Sequence, residues 1–217
     1  DTASLDPRDA GLAGQIVFGS LRFQASLDAH IDQQTRGRRL DPEVRIALRM
    51  GAFQILHLDR VPVHAAVNES VELVRKARKA SASGFVNAVL RKIRPGAKAA
   101  SPSRAVRLSQ PVWLLNRWDA HFGAETADRI AAEFLREPDT WLRNPPSAQP
   151  GLVLEPATEV PGAFRVISGD TRGLRTQDLG SQSIVPLLDL RPGLRFLDLC
   201  SAPGNKTAQA LEVGVHA

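Results

Sequence analysis

The sequence predicts a mainly α bundle followed by the beginning of an α/β domain. Three observations carry this reading. Through residue 94, apolar residues recur at helical spacing behind Asp-Pro pairs. From Asp139 the pattern changes to short extended pieces separated by glycine, proline and aspartate. Finally, Arg195 to Glu212 reads as a short buried parallel strand carrying Phe196, Leu197 and Leu199, a tight turn and a helix start.

The elements follow in order. Asp6-Pro7 and Asp41-Pro42 each pair an N-cap residue with proline at the first helical position. The helix after Pro7 places Leu12, Ile16 and Gly19 on one stripe, with Phe18 and Leu21 beside it. The helix after Pro42 carries Val44, Leu48, Gly51 and Ile55, and mid-helix Gly51 implies close helix–helix packing. Pro62 stops that unit. Val63, Val67, Val71 and Val74 form the next stripe, and Phe85, Val89, Leu90 and Ile93 another. Short amphipathic helices with brief connections define a compact bundle over residues 1–94.

Residues 95–138 are expected to connect. Arg94 to Ser103 has linker composition. Pro111 then opens a helix bearing Val112, Leu115 and Trp118 and closed by Gly123; a second helix presents Ala127, Ile130, Ala131, Phe134 and Leu135. Trp113, Trp118 and Trp141 are expected in packing rather than in base stacking. Residues 139–217 are expected to begin the α/β domain. Val153-Leu154 and Phe164–Ile167 read as strands, and Asp178 as the cap of a helix bearing Ile184, Leu187 and Leu188.

Composition bounds the function. The 217 residues, 43% hydrophobic and 24% charged, are enough for one large domain or two small ones. A single cysteine excludes an intramolecular disulfide, no apolar run has membrane-span length, and no secretory signal opens the chain, so the expected location is cytoplasmic. The charge is lopsided: residues 1–107 carry a net +8 and residues 108–217 a net −3. Two basic runs, Arg75, Lys76, Arg78, Lys79 and Arg91, Lys92, Arg94, Lys98, are candidates for contacts to a polyanion. They also lie near predicted helix ends, where cations complement the dipole. His30, His57, His64, His121 and His216 lack zinc spacing, so no metal is expected, and His64 is expected to pack or cap.

The turn after Leu199 is the candidate site. A P-loop would need glycine where Cys200 and Asn205 stand, and the dinucleotide glycine pattern is absent. What remains is D-x-C-[SA]-A-P-G-[GN]-K-T, here Asp198 to Thr207. It closely resembles the cofactor motif of the S-adenosylmethionine-dependent RNA 5-methylcytosine methyltransferases. Asp6-Pro-Arg-Asp-Ala-Gly-Leu-Ala13, Val17-Phe-Gly-Ser-Leu-Arg22, Leu48-Arg-Met-Gly-Ala-Phe-Gln-Ile-Leu56, Val61-Pro-Val-His-Ala-Ala-Val-Asn-Glu-Ser70 and Gly84-Phe-Val-Asn-Ala-Val-Leu-Arg91 resemble NusB-like RNA-binding domains. Thr140–Pro146 and Gln177–Gln182 are similar to further elements of the methyltransferase family. Together they resemble the bacterial small-subunit ribosomal RNA (cytosine-5)-methyltransferase B family, over nearly the whole chain.

The resemblance implies a NusB-like bundle before a Rossmann-like methyltransferase domain, with ribosomal RNA as partner and S-adenosyl-L-methionine as cofactor. It assigns the cofactor to Cys200, Ser201, Ala202, Pro203, Gly204, Asn205 and Lys206. Most relatives carry glycine where this chain has Asn205; asparagine tolerates left-handed backbone, so the turn is expected to persist. Adding a thiolate at cytosine C6 needs a cysteine facing the base, and Cys200 instead occupies a cofactor position. The family's cysteine motifs and its ribose-binding carboxylate have no counterpart before Ala217. The expectation is a chain truncated at both ends, inactive alone, with no catalytic residue of its own. A non-enzymatic NusB-like module for RNA or protein is the alternative.

Overall fold

The computed structural model describes residues 5–97, 102–146 and 149–216. The chain divides into two units, Asp1–Arg136 and Glu137–Ala217.

The first unit is helical. Helix α1 (Pro7–Arg22) opens as predicted: the Asp6 carboxylate accepts the N–H groups of Arg8 at 2.8 Å and Asp9 at 3.0 Å. Helices α2 (Gln24–Thr35), α3 (Pro42–His57), α4 (Val63–Lys76) and α5 (Ser83–Leu90) follow, with a 3-10 turn at Ala80–Ala82. Helix α3 is central and touches α1, α2, α4 and α5. Its Val44, Ala47, Leu48, Ala52, Phe53 and Ile55 meet Leu27, Ile31, Val67, Val74, Val86, Val89, Leu90 and Ile93 in one core. Gly51 is there for closeness, as expected: an added Cβ would lie 2.5 Å from Ser70 Oγ and 2.6 Å from Leu90 Cδ1.

Three expectations for this unit are corrected. Only part of the α1 stripe is buried: Gly19 sits on the Phe53 ring, while Leu12, Phe18 and Leu21 are exposed. Asp41 stands at the α3 N-cap but makes no capping bond; its carboxylate is taken by Lys79 at 2.7 Å. His64 neither packs nor caps; it is exposed in the first turn of α4.

His30 is buried beside His57, whose ring stacks on Phe23 at 4.2 Å and Phe53 at 5.2 Å. Burial holds both imidazoles below their ordinary value of 6.5, and for His57 the neighbouring His30 adds to the effect. Because the unfolded chain then binds more protons just below pH 6.5, stability is full above that pH and is lost as the pH falls. Thermal unfolding at pH 5.5 should therefore begin at lower temperature than at pH 7.5, and His30→Gln should shrink the difference. An unchanged difference in the variant would remove His30 as its source.

Helices α6 (Arg104–Arg107), α7 (Val112–Phe122) and α8 (Ala124–Glu133) complete the first unit. Leu108, Leu115 and Ala131 form their small core, with Trp118 against it and stacked on Phe134 at 5.8 Å. Arg104 holds α7 and α8 together by bonding both oxygens of Asp119 at 2.6 and 2.7 Å and Asp128 at 2.6 Å. Ser109 Oγ accepts the Ala25 N–H at 3.1 Å, joining this corner to α2. Trp113 is exposed, contrary to a packing role.

The second unit carries a three-stranded antiparallel sheet in the order β1 (Trp141–Arg143), β3 (Ala163–Ser168), β2 (Val153–Pro156). Leu142 pairs with Phe164, and Leu154 with Val166. Asp178 caps α9 (Leu179–Ile184) by accepting the Ser181 N–H at 3.0 Å. The helix continues as a 3-10 turn, Val185–Leu188. The apolar face expected there is inverted: Ile184, Leu187 and Leu188 are exposed, while Gln182 and Val185 are buried. Val185 joins Ala210 of α10 (Asn205–Leu211), Val215, Leu190 and Phe196 in a local cluster.

The predicted buried strand at Phe196–Leu199 is also corrected. Its pairing is one parallel bridge, Arg195 with His216, where Phe196 N–H donates to the His216 carbonyl at 2.7 Å. Phe196 alone reaches the cluster; Leu197 and Leu199 are 79% and 85% exposed. A strand is defined by its ladder and its cover, and among the described residues these leucines have neither. The described residues thus show an antiparallel sheet with helices and no parallel Rossmann-like sheet.

Candidate functional site

The loop from Asp198 to Thr207 is built around a carboxylate. Asp198 Oδ1 accepts the Cys200 N–H at 2.9 Å, and Oδ2 accepts the Thr207 hydroxyl at 2.7 Å. These bonds fold the segment back on itself, joining the end of the apolar run to the first turn of α10. The Thr207 hydroxyl first, then the Cys200 N–H, holds the Asp198 carboxyl below the ordinary carboxylate range; Lys206 adds to this by charge. Sequence reasoning assigned neither Asp198 nor Thr207 a role, although both lie inside the motif.

Within this frame Cys200, Ser201, Ala202, Pro203 and Lys206 are exposed. Gly204 turns the chain into α10 with left-handed backbone, φ 97°, and its N–H donates to the Ser201 carbonyl. A Cβ at Gly204 would meet nothing within 4 Å, so the backbone can be approached from that side. Asn205 does not take the left-handed conformation; it is the first residue of the helix. Its Nδ2 donates to the Thr176 carbonyl at 3.0 Å. Asn205 also lines a cleft of about 490 Å³ with Pro138, Trp141, Thr176, Asp178 and Ser181.

Behind the loop, α10 is fixed by polar contacts that apolar periodicity cannot reveal. Arg175 donates to the Asn205 carbonyl at 3.3 Å. Buried Gln177 Nε2 donates to Gln209 Oε1 at 2.9 Å, and Gln209 Nε2 to the Gln182 carbonyl at 2.7 Å. Gln182 Nε2 in turn donates to the carbonyls of Leu142 at 3.3 Å and Gln177 at 2.8 Å. Glu212, just past the helix, accepts from Arg143 at 2.7 Å, Arg175 at 3.0 Å and Asn144 at 2.8 Å. The seven candidate residues thus lie on one exposed turn whose base is anchored to the sheet.

In the first unit, the two basic runs prove unequal. Arg75 pairs with Glu72, Lys79 with Asp41, and Arg91 bonds Asn87, so these three are partly engaged. Lys76, Arg78, Lys92 and Arg94 are exposed, and Lys98 lies outside the described residues. Among the described residues no His, Cys, Asp and Glu cluster could hold a metal, and no helix is long and apolar enough to cross a membrane.

The class follows from the fold and the sequence together: residues 1–95 match the NusB family, and the helical first unit contains them. Beyond that domain, the chain is similar along about 95% of its length to ribosomal RNA small subunit methyltransferases B. It is 32% identical to that of Pseudomonas putida, over 96% of this chain and 53% of the relative. Identity is 36% with that of Thermus thermophilus, over 95% of this chain and 50% of the relative. With the probable ribosomal RNA small subunit methyltransferase B of Bacillus subtilis it is 28%, over 96% and 53%. The chain therefore spans about half the length of the curated relatives it matches. The crystal structure of PH0851 shares the fold, with TM-score 0.66 and 19% identity over 97% of this chain and 54% of that one.

Proposed function

We propose that this chain is the N-terminal part of an S-adenosylmethionine-dependent methyltransferase acting on cytosine C5 of small-subunit ribosomal RNA. In this reading the NusB domain supplies part of the grip on RNA. The observation that carries it is the anchored, exposed turn Cys200–Lys206 within a chain similar throughout to ribosomal RNA methyltransferases. S-adenosylmethionine would supply the methyl group. The residues present fit its methionine end: open backbone at Ser201–Gly204 and the Lys206 ammonium beside it can receive a carboxylate. Asp198 is already bonded twice inside the turn, so its task is to hold the turn's shape, not to bind ligand. Cys200 belongs to the cofactor side in this reading; these residues bind the donor and do not attack cytosine C6, so the chain alone is inactive.

The test is calorimetric titration of S-adenosylmethionine into the full-length gene product containing these residues, with methylation of small-subunit ribosomal RNA assayed in parallel. Asp198→Ala removes a charge-assisted anchor and should weaken binding about tenfold, the effect of roughly 1.4 kcal/mol. Absence of both binding heat and methyl transfer in the unaltered protein would leave a NusB-like binding module without enzymatic function.

A further inference from the structure

Helices α2 and α4 end alike. After α2, Arg36 has left-handed backbone, φ 54°, and the Gly37 N–H returns to the Asp32 carbonyl at 3.0 Å. After α4, Arg78 has φ 60°, with Lys79 N–H on the Val74 carbonyl at 2.8 Å and Arg78 N–H on Arg75 at 3.0 Å. Both are glycine-type helix stops. In each, the position that favours glycine holds an arginine, whose Cβ makes the left-handed conformation costly. Strained backbone that keeps an expensive side chain points to a use for that side chain.

One ion pair links the two segments that follow these ends. The Lys79–Asp41 ion pair at 2.7 Å ties the α4 end to the loop that follows α2, and Glu43 lies 4.0 Å from the same ammonium. That loop adds Arg38 and Arg39. With the local carboxylates Asp41 and Glu43 turned to Lys79, and Glu72 to Arg75, the cations Arg36, Arg38, Arg39, Lys76 and Arg78 are exposed and without an ion pair among the described residues. We propose that the loop after α2 and the end of α4 together form a contact surface for the RNA phosphate backbone, with Arg36 and Arg78 as its fixed points. The inference rests on the RNA-binding reading above and identifies the surface responsible. Guanidinium groups suit this partner because their donors match phosphate oxygens in pairs.

The glycine-type stops permit a test in which stability and binding move in opposite directions. Arg36→Gly, Arg78→Gly and the double variant of the 217-residue chain are compared by thermal unfolding and by anisotropy of a labelled 20-nucleotide single-stranded RNA across a potassium chloride series. Each glycine should raise Tm by roughly 2 °C by relieving the left-handed arginine. Each should also weaken RNA binding and lower the salt slope by about 0.7, the value for one lost contact to a single strand. Arg36→Lys and Arg78→Lys keep the charge and should keep the salt slope, while recovering only part of the affinity because the paired donors are lost. RNA binding by the unaltered chain with unchanged affinity and slope in the glycine variants would overturn this surface while leaving the RNA reading intact. No RNA binding by the unaltered chain at low salt would overturn that reading itself. Displacement of the RNA by polyglutamate at equal charge would overturn the choice of RNA in favour of an acidic protein.

Discussion

Gly51→Val should destabilise the first unit by about 3 kcal/mol, the upper part of the range for overpacking a filled core. In a chain of this size that is a fall in Tm of roughly 6–12 °C. Helix α3 crosses α4 and α5 at Gly51, where a Cβ would press on Ser70 Oγ and Leu90 Cδ1. Ser70 cannot swing away freely, because its hydroxyl donates to the Ala66 carbonyl at 2.8 Å inside α4. Leu90 is fully buried in the core cluster. Gly51→Ala should be milder, since alanine recovers about 1 kcal/mol of helix propensity. Ser70→Ala should partly rescue Gly51→Ala, giving a coupling that distant sites do not show. Gly14→Ala and Gly84→Ala are the controls: nothing lies within 4 Å of an added Cβ, so both should stabilise. Equal melting of the Gly51 and Gly84 variants would refute close packing at α3.

The first unit was legible because its determinants are local or periodic. Asp6-Pro7 set a cap whose hydrogen bonds close within three residues. Except for exposed Val63 at the start of α4, the apolar stripes of α3, α4 and α5 point inward because helical spacing puts them on one face. The misreadings arose where a partner distant in sequence competes for a side chain. Asp41 has the same local sequence signal as Asp6, yet Lys79, 38 residues away, takes its carboxylate. The basic run at Arg75–Lys79 was likewise visible, but its partition into paired and unpaired cations depends on Asp41, Glu43 and Glu72. The loop cations Arg36, Arg38 and Arg39 were missed because nothing in the sequence shows that their loop is tied to the α4 end through Asp41 and Lys79.

The second unit was legible as a motif more than as a fold. The Asp198–Thr207 spacing located the turn, and most of the turn is exposed. Hydrophobicity misled around it. Leu187, Leu197 and Leu199 were assigned to buried faces and are exposed, while Gln177, Gln182 and Gln209 are buried. Apolar pattern predicts burial only where a second layer covers the residue. The glutamines can be buried because their amide groups bond one another and the backbone, Gln182 Oε1 excepted, a condition invisible to periodicity.

Gln209→Leu should therefore cost about 2–4 kcal/mol in the second unit despite its more apolar side chain. The expectation sums the typical penalty for two buried groups left without partners. Gln177 Nε2 would lose its acceptor and the Gln182 carbonyl its donor, both in places from which water is excluded. Gln182 has little capacity to compensate: its Nε2 is already shared by two carbonyls, and its Oε1 faces no donor. Amide hydrogen exchange should show the loss as faster opening of α10, with Glu212 and its arginines still holding the far end. The double variant Gln177→Leu, Gln209→Leu should lose less than the sum of the single changes, because it removes a donor together with its acceptor. Strict additivity would mean the two amides act independently, and α10 would then be held by Asn205, Arg175 and Glu212 alone. With the coupling present, displacement of the turn is transmitted from buried glutamines to the exposed backbone of Ser201–Gly204. If the turn binds S-adenosylmethionine as proposed, that affinity should then fall in Gln209→Leu even though Gln209 is buried.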